Sequence, residues 1–322
     1  MRWLFTAARR LRELGILGMN RRNAHCILDR NPRNRFPIVD DKLRLHRLCR
    51  EISVPTPAIL AEIETYSQLR SLDRILHGLD DFVIKPNHGS AGRGILVVTG
   101  RDEKGFRRHN GERLRVDDLR QHLSDILSGM YSLGGHPDTA LVQQRIRLHP
   151  AFTQVTHKGI PDVRVILYRN EPAMAMLRLP TKASNGRANL HQGGIGTGIE
   201  LDTGITHHAV QHNRFVALHP DTGRPVVGVR VPFWEEVLQL ARKVSEAVGL
   251  GYIGVDVVVD AVGGPMLLEA NARPGLAIQI ANGRGLIPAL EAIDARLAEK
   301  AVIIPIDQLR QRKAEARLRQ SA

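Results

Sequence analysis

Two apolar runs in the C-terminal third of the chain alternate with the period of β-strands. Four β-branched residues recur at every second position from 253 to 259, so they share one strand face and leave Asp256 on the other. A turn-forming segment, residues 260–265, follows, and the next run places Glu269 and Asn271 on one face. The pattern predicts a β-hairpin in which two carboxylates and an amide oxygen converge at the end of an otherwise apolar sheet.

Other apolar runs predict a mixture of helices and strands. Apolar residues recur at helical spacing from 116 to 130 and from 237 to 248, which predicts two amphipathic helices. Further helices are predicted at 41–50, 64–76 and 286–298, and strands at 82–84, 95–98, 139–146, 162–168 and 172–179. A glycine-rich segment poor in aromatic residues covers 184–204. This order of elements predicts an α+β fold with a sheet-rich core.

Composition adds an unusual charge to this picture. The chain has 322 residues, 43% of them hydrophobic, which is enough for one large core or two apposed subdomains. The formal net charge of +13 is concentrated in residues 1–50 and 308–320. It favours an acidic partner, whether nucleotide phosphates, an acidic peptide, nucleic acid or an anionic membrane surface. Aromatic residues make up only 4% of the chain and no nucleic-acid-binding module is evident, so we do not expect a nucleic-acid partner.

The two cysteines and the apolar segments bear on location. Cys26 and Cys49 are too few for a disulfide framework and lack metal-binding spacing, so we expect free thiols in a reducing compartment. No apolar stretch is long enough to span a bilayer, and the apolar block at residues 1–15 is too short for a signal peptide. The default expectation is a cytoplasmic protein; a homo-oligomer is left open.

A glycine-rich hairpin is the first candidate for binding phosphate. Lys85 ends the strand at 82–84, and a loop with Gly89, Gly92 and Gly94 leads into the next strand. Glycines let backbone N–H groups wrap phosphate oxygens, and Lys85 would add a positive charge. The loop is neither a Walker A motif nor a dinucleotide fingerprint, and an ordinary turn is the alternative.

Two further elements carry charge or amide groups. Lys42 lies on the helix predicted at 41–50, whose alternative interpretation is a solvated charged face. Arg178 ends the strand at 172–179 and leads toward a loop with Asn189 and His191, which either faces a ligand or is hydrogen-bonded within the loop. The hairpin residues Asp256, Glu269 and Asn271 supply hard oxygen ligands suited to Mg²⁺, or else they are solvated residues on a half-exposed hairpin.

The order of these elements resembles that of ATP-grasp enzymes. Within that superfamily, Asp162–Arg164, Asn189–Gly194 and Glu269–Gly275 are similar to strings of the α-L-glutamate ligases that modify ribosomal protein tails. The resemblance covers about residues 41 to 285. It implies an α+β ATP-grasp fold in which two α+β subdomains sandwich ATP, with a shortened helical segment of about forty residues where the family commonly has a substantial domain. The implied segments are a basic helical segment at 1–40, an N-terminal subdomain with the phosphate loop at 41–145, a C-terminal subdomain with the Mg²⁺ site at 146–300 and a basic tail at 301–322.

The resemblance also implies roles for individual residues. Phosphates would be held by Lys42, Lys85 and the loop residues Gly89, Ser90, Ala91, Gly92 and Gly94. The adenine would pair with the segment Gln143, Gln144, Arg145 and Ile146, although Gln144 stands where related ligases often have Glu. Asp162 would lie at the ribose or the substrate edge. Catalytic roles toward the acceptor carboxylate and the phosphoryl group would fall to Arg164, Arg178 and Asn189, and two Mg²⁺ ions, replaceable by Mn²⁺, would be held by Asp256, Glu269 and Asn271.

The function that this resemblance implies is an ATP- and Mg²⁺-dependent carboxylate–amine ligase that works through an acyl phosphate. Its partners would be ATP, a carboxylate substrate such as glutamate or another acidic amino acid or peptide, and an amine acceptor, which could belong to a protein tail. Two alternatives stay open: a kinase-like ATP-grasp phosphotransferase, and a non-catalytic nucleotide-binding scaffold protein.

Overall fold

Apolar strands assemble into two separate antiparallel sheets in the computed structural model, which describes residues 9–89, 92–103, 105–132 and 134–302. Helices cover both sheets, so the described chain has the predicted α+β architecture. The first sheet takes its strands from residues 59–144 and the second from residues 162–271.

The first sheet has six strands in the order β1-β6-β2-β3-β4-β5. They are β1 Ile59–Ile63, β2 Phe82–Pro86, β3 Leu96–Asp102, β4 Gly105–Arg108, β5 Arg113–Leu114 and β6 Ala140–Gln144. Strands β2 and β3 pair with Phe82 opposite Val98, which confirms the predicted lysine–glycine hairpin. The glycine loop therefore leaves the sheet at the end of β2, next to Lys85.

The second sheet has seven strands in the order β11-β10-β9-β8-β7-β12-β13. They are β7 Asp162–Tyr168, β8 Glu171–Leu179, β9 Ile195–Ile199, β10 Thr206–Gln211, β11 Arg214–Phe215, β12 Tyr252–Asp260 and β13 Gly264–Asn271. Strands β12 and β13 form the predicted hairpin, with Asp256 directly opposite Glu269. One face of this sheet packs valines such as Val163, Val255 and Val257 against a long helix.

The helices begin near the N-terminus and end at residue 302. They are α1 Met19–Arg21, α2 Phe36–Asp40, α3 Lys42–Glu51, α4 Tyr66–Leu69, α5 Leu72–Ile75, α6 Val116–Leu127, α7 Trp234–Val248, α8 Ala277–Asn282 and α9 Ile287–Val302. Residues 9–13 are also helical, α1 continues into a π-helix at Arg22–Leu28, and short 3-10 turns lie at Arg33–Arg35, Pro150–Phe152 and Leu190–Gln192. None of the helices in the described ranges has both the length and the hydropathy needed to cross a bilayer.

The segment before α3 packs on the second sheet through buried side-chain amides. Asn31 accepts a hydrogen bond from the backbone N–H of Tyr252 at 2.8 Å and donates to the backbone oxygens of Tyr252 and Ala272 at 2.7 and 3.1 Å. The Gln279 side chain accepts from Leu17 N–H at 2.8 Å and donates to the Leu17 carbonyl at 3.1 Å. These bonds fix the N-terminal segment against the start of β12 and the end of β13.

The structure differs from the predicted elements at two places. The helix predicted at 64–76 is two short helices, α4 and α5, separated at Arg70 and Ser71. The glycine-rich segment at 184–204 contains strand β9, whose residues are buried on both faces and so show no alternation. Cys26 and Cys49 are buried free thiols, as expected.

Candidate active site

One face of the second sheet is apolar at one end and charged at the other. Cross-strand pairing places Arg164 opposite Asp256, and Asp162 opposite Arg178. Since residues at every second position share a face, these four side chains lie on the same face as Glu269, which pairs with Asp256. Farther along that face the residues are apolar, among them Ile166, Met174 and Met176. The register therefore gathers most of the predicted catalytic and metal residues at one end of the sheet.

Two arginines form ion pairs with the Asp256 carboxylate. Arg164 binds it in a bidentate manner, with Nε 2.7 Å from Oδ1 and Nη2 2.6 Å from Oδ2. Arg178 donates from Nη2 to Asp256 Oδ2 at 2.7 Å and from Nε to Oδ1 of Asp162. The charges of two carboxylates and two guanidiniums thus offset one another in a buried region, where Asp256 is only 1% exposed. The structure places the predicted catalytic arginines on aspartates.

The two aspartates of this cluster are shifted in opposite directions. Burial raises the pKa of Asp162, and the neighbouring Asp256 raises it further, against the attraction of Arg178. Burial also acts on Asp256, but Arg164 and Arg178 together outweigh it and hold the pKa of that carboxyl well below its usual range. Asp256 therefore carries the stable negative charge of the cluster.

Glu269 and Asn271 fit a divalent cation better than Asp256 does. No described residue forms a hydrogen bond or ion pair with the Glu269 carboxylate, and the side-chain Nδ2 of Asn271 is buried without a partner. Because amide nitrogen and oxygen can be exchanged by a flip, Asn271 can turn an oxygen toward a ligand. In contrast, both Asp256 oxygens already accept from arginines. No cluster of three His, Cys, Asp or Glu suited to a metal occurs in the described ranges, and the predicted set contains only two acids.

The two predicted phosphate lysines lie near each other and near Glu269. Lys85 is 8% exposed, and burial lowers its pKa to about 8, with a further decrease from Lys42 and an opposing effect of Glu269. Burial also lowers the pKa of Lys42, against several carboxylates of which Glu269 contributes most. Burial thus disfavours the charge on both lysines, so an additional anion in this low-dielectric site would stabilise their charged forms.

Lys42 reaches across to the glycine loop. Its Nζ donates to the backbone oxygens of Asn87 and Gly89 at 2.9 and 2.7 Å. Asn87, which is 2% exposed, fixes the start of α3 by accepting from Leu43 N–H at 2.9 Å and donating to Asp41 Oδ1 at 3.0 Å. Asn87 therefore positions Lys42 beside the loop. We did not single it out from the sequence, although its place two residues after Lys85 is a usable signal.

Glycine is required where the glycine loop after β2 meets its neighbours. Gly94 has φ +73°, and a Cβ placed there would lie 2.6 Å from Cγ of Tyr131. The Gly94 carbonyl is also 3.0 Å from Nε2 of His122 on α6. Gly89 passes so close to Pro86 that a Cβ would come within 2.2 Å of its ring. Ser90 and Ala91, which were predicted to bind phosphate, lie outside the described residues.

Arg187 approaches the glycine loop from the other sheet. A Cβ placed on Gly92 would lie 3.6 Å from Cδ of Arg187, whose Nη1 donates to Gln192 at 3.3 Å. Two residues later, Asn189 caps the turn at Leu190–Gln192 by accepting from His191 N–H at 3.0 Å. Arg187, on the loop with Asn189, thus lies beside the glycine loop, and the sequence analysis did not single it out. Its signal was its position next to the Asn189 string.

The segment predicted to pair with adenine begins in β6, the second strand of the first sheet, and continues past the end of that strand. Strand β6 lies between β1 and β2, so the backbone of Gln143 is engaged in the ladder and Gln144 N–H donates to Ala58 O at 2.8 Å. The Gln143 side chain donates to Pro57 O at 2.8 Å. Arg145 forms an ion pair with Asp81 beyond the end of the strand. Arg145 and Ile146 are consequently the part of this segment that lies outside the ladder.

The chain was compared with known proteins. The ATP-grasp ligase PsnB, solved with its precursor peptide PsnA2 and AMPPNP, is 15% identical, with 83% of this chain and 60% of PsnB covered at a TM-score of 0.44. The D-cycloserine synthetase DcsG is 15% identical, with 83% and 73% covered at a TM-score of 0.46. The D-alanine–D-alanine ligase from Bacillus anthracis is 17% identical, with 89% and 72% covered at a TM-score of 0.43. This chain thus spans only 60% of the length of PsnB, and no curated protein is a significant match.

Similarities of this size are too small to transfer an activity. The family model of the sugar-transfer associated ATP-grasp, in contrast, matches residues 21–295, which include both sheets and every described site residue. The family model confirms the predicted ATP-grasp superfamily, and the two antiparallel sheets with their helices confirm the predicted α+β fold. The chain belongs to the sugar-transfer associated ATP-grasp family.

Proposed function

We propose that the protein is an ATP- and Mg²⁺-dependent carboxylate–amine ligase that works through an acyl phosphate. The observation that carries the proposal is the pair Lys42 and Lys85, buried together beside the Glu269 carboxylate and next to a glycine loop. A pair of like charges in a buried site is unfavourable unless an anion joins them. The phosphates of ATP are such an anion.

The lysines and the loop would hold the phosphates. Lys42 already donates to two loop carbonyls, so its ammonium group lies at the mouth of the loop between Gly89 and Gly94. Lys85 lies on β2, one residue before the strand ends at Pro86. We expect the phosphate oxygens to replace the loop carbonyls as acceptors for Lys42, since an ionised acceptor forms the stronger hydrogen bond.

Glu269 and Asn271 would hold Mg²⁺. Their unpartnered groups are carboxylate and amide, the hard ligands that Mg²⁺ prefers. Bound there, Mg²⁺ would neutralise charge on the transferring phosphoryl group. Asp256 would join this set only after Arg164 or Arg178 turns from it toward another anion, because both of its oxygens are occupied.

The remaining chemistry needs positioning rather than a nucleophilic side chain. A carboxylate attacks the terminal phosphorus of ATP, ADP leaves, and an amine then attacks the acyl carbon and releases phosphate. Arg187, beside the phosphate loop, would balance charge on the moving group. The glycine loop would exclude water, which otherwise hydrolyses the acyl phosphate.

The substrate class that we propose is glutamate or another acidic amino acid or peptide as the carboxylate, with an amine as acceptor. This follows the resemblance of the Asp162, Asn189 and Glu269 strings to glutamate ligases. We also propose that the protein acts in the cytoplasm, where its buried thiols stay reduced.

The test is ADP release from ATP and Mg²⁺ with a panel of amino acids and acidic peptides, followed by mass spectrometry of the products. A ligase sustains ADP release over many turnovers only when a carboxylate and an amine are both present, and it gives a product of amide mass. A product heavier by one phosphoryl group would instead establish a phosphotransferase. Glu269→Gln in the same assay controls for a contaminating ATPase.

A further inference from the structure

The N-terminal segment encloses a cleft beside the candidate active site. The cleft has a volume of about 800 Å³ and lies between residues 20–36 and the loop after β13. Its lining combines amide, cationic and apolar side chains, notably Asn20, Asn23, Arg33, Ile27, Phe36 and Arg273. A volume of this size suits a small organic ligand.

One wall of this cleft is a π-helix. Residues Arg22–Leu28 form it, and Asn23, Ala24, Ile27 and Leu28 all line the cleft. A seven-residue π-helix is rare, and π-helical turns in proteins occur frequently at functional sites. The segment is also firmly placed, because Arg22 donates to Pro274 O at 3.1 Å and Asn31 bonds to both β12 and Ala272.

The cleft and the candidate metal residues are close along the chain. Arg273 follows Asn271 by two residues, so their Cα atoms are at most about 7 Å apart. On the other side of the cleft, Phe36 begins the helix that leads to Lys42. The cleft therefore borders both the strand that carries Glu269 and Asn271 and the segment that leads to Lys42.

The cations of the cleft have no acidic partner. Arg273 stacks on Phe36 with its guanidinium carbon 4.5 Å from the ring centroid, and among the described residues neither it nor Arg33 forms an ion pair. Stacking fixes the guanidinium plane while leaving its N–H fork open, which is the geometry that binds a carboxylate in a bidentate manner. The apolar side chains of Ile27 and Phe36 would contact the carbon skeleton of the same ligand.

We propose that this cleft is the substrate site and that Arg273 binds a second, non-reacting carboxylate of the substrate. Its reacting carboxyl group would then face Glu269 and the phosphate lysines. The substrate class is a short dicarboxylate, either a free acidic amino acid or the acidic end of a peptide. The inference rests on the proposed ligase function, since it specifies which carboxylate that ligase activates.

The test compares Arg273→Gln with Arg35→Gln in the full-length protein. Arg35 lies on the same segment, but its side chain extends toward Gly249, outside the cleft, so its replacement removes the same charge. We expect Arg273→Gln to raise the KM for the carboxylate substrate about tenfold to a hundredfold, the value of one charged bidentate contact. The KM for ATP and kcat should stay within about twofold, and Arg35→Gln should leave all three unchanged.

Calorimetric binding without nucleotide separates this inference from the ligase proposal. The probes are glutamate, glutarate and a triglutamate peptide, titrated into the wild type, Arg273→Gln and the control Arg35→Gln. Binding of glutamate or of the peptide that weakens at least tenfold in Arg273→Gln supports the site, and the probe that binds identifies the source, even if no ADP is ever released. Turnover with an unchanged carboxylate KM in Arg273→Gln would overturn the substrate site and leave the ligase proposal intact. Absence of binding by every probe would overturn it as well.

Discussion

Lys85→Met should make the protein more stable and unable to bind ATP. Burial and Lys42 lower the pKa of Lys85 from 10.5 to about 8, so at pH 7 the folded protein holds a charge that its surroundings disfavour. A difference of this size corresponds to about 3 kcal/mol of free energy of unfolding. Methionine has a similar shape and fills the space without the charge, so we expect a gain of about 1 to 3 kcal/mol and a Tm higher by about 2 to 6 °C.

The gain in stability expected for Lys85→Met should depend on pH. Because the pKa of Lys85 is lower in the folded state, its unfavourable contribution is complete below pH 8 and is lost as the pH rises toward 10.5. The stability difference between Lys85→Met and the wild type should therefore decrease over that range. Lys182→Met, which replaces an exposed lysine, should show no such difference at any pH.

The measurement is denaturant unfolding with and without ATP and Mg²⁺. At a hundredfold excess over Kd, the nucleotide should stabilise the wild type by about 2.7 kcal/mol and the Lys85→Met protein by almost nothing. If Lys85→Met were less stable than the wild type without nucleotide, the buried charge of Lys85 would not destabilise the folded protein. If ATP protected both proteins equally, Lys85 would not be a phosphate ligand.

Three further predictions concern the site and its loop. Glu269→Gln should abolish turnover and leave Tm within about 2 °C of the wild type. Asp256→Asn should instead lower the free energy of unfolding by about 3 kcal/mol or more, because it leaves two buried guanidiniums underpaired. ADP release and thermal unfolding of both variants check these two outcomes. Gly94→Ala should slow turnover and destabilise the protein by about 1 to 3 kcal/mol, more than Gly78→Ala, which has a similar positive φ and open space; equal effects would mean that the contact with Tyr131 is unimportant. Arg187→Gln should lower kcat at least tenfold with little change in stability, since its side chain is exposed; an unchanged kcat would remove it from the phosphoryl site.

The sequence predicted those parts of the fold and site that depend on local pattern. The hairpin of β12 and β13 follows from period-two alternation and a glycine turn, and the structure pairs Asp256 with Glu269 accordingly. Lys85 was singled out because it follows an apolar run and precedes a glycine turn, whereas the phosphate role of Lys42 was implied only by the resemblance to ATP-grasp enzymes. The seven-residue strand β7 has the predicted bounds because its pattern is uninterrupted.

Other parts of the site depend on contacts between distant residues. The pairing of Arg164 and Arg178 with Asp256 is set by the register of three strands, and no local pattern specifies that register. Asn87 owes its role to the approach of α3, and Arg187 to the approach of the loop at Gly92. The π-helix at Arg22–Leu28 has the composition of an ordinary basic helix, so the cleft that it lines could not be expected from the sequence.

The central claim, an acyl phosphate intermediate, can be tested by oxygen transfer. The carboxylate substrate that supports ADP release would be labelled with ¹⁸O in its carboxyl group and turned over with ATP, Mg²⁺ and the amine, and the phosphate released would be measured by mass spectrometry. We expect one ¹⁸O atom in each phosphate, because the bridging oxygen of an acyl phosphate leaves with phosphorus when the amine attacks the carbon. Unlabelled phosphate formed together with an amide would contradict it.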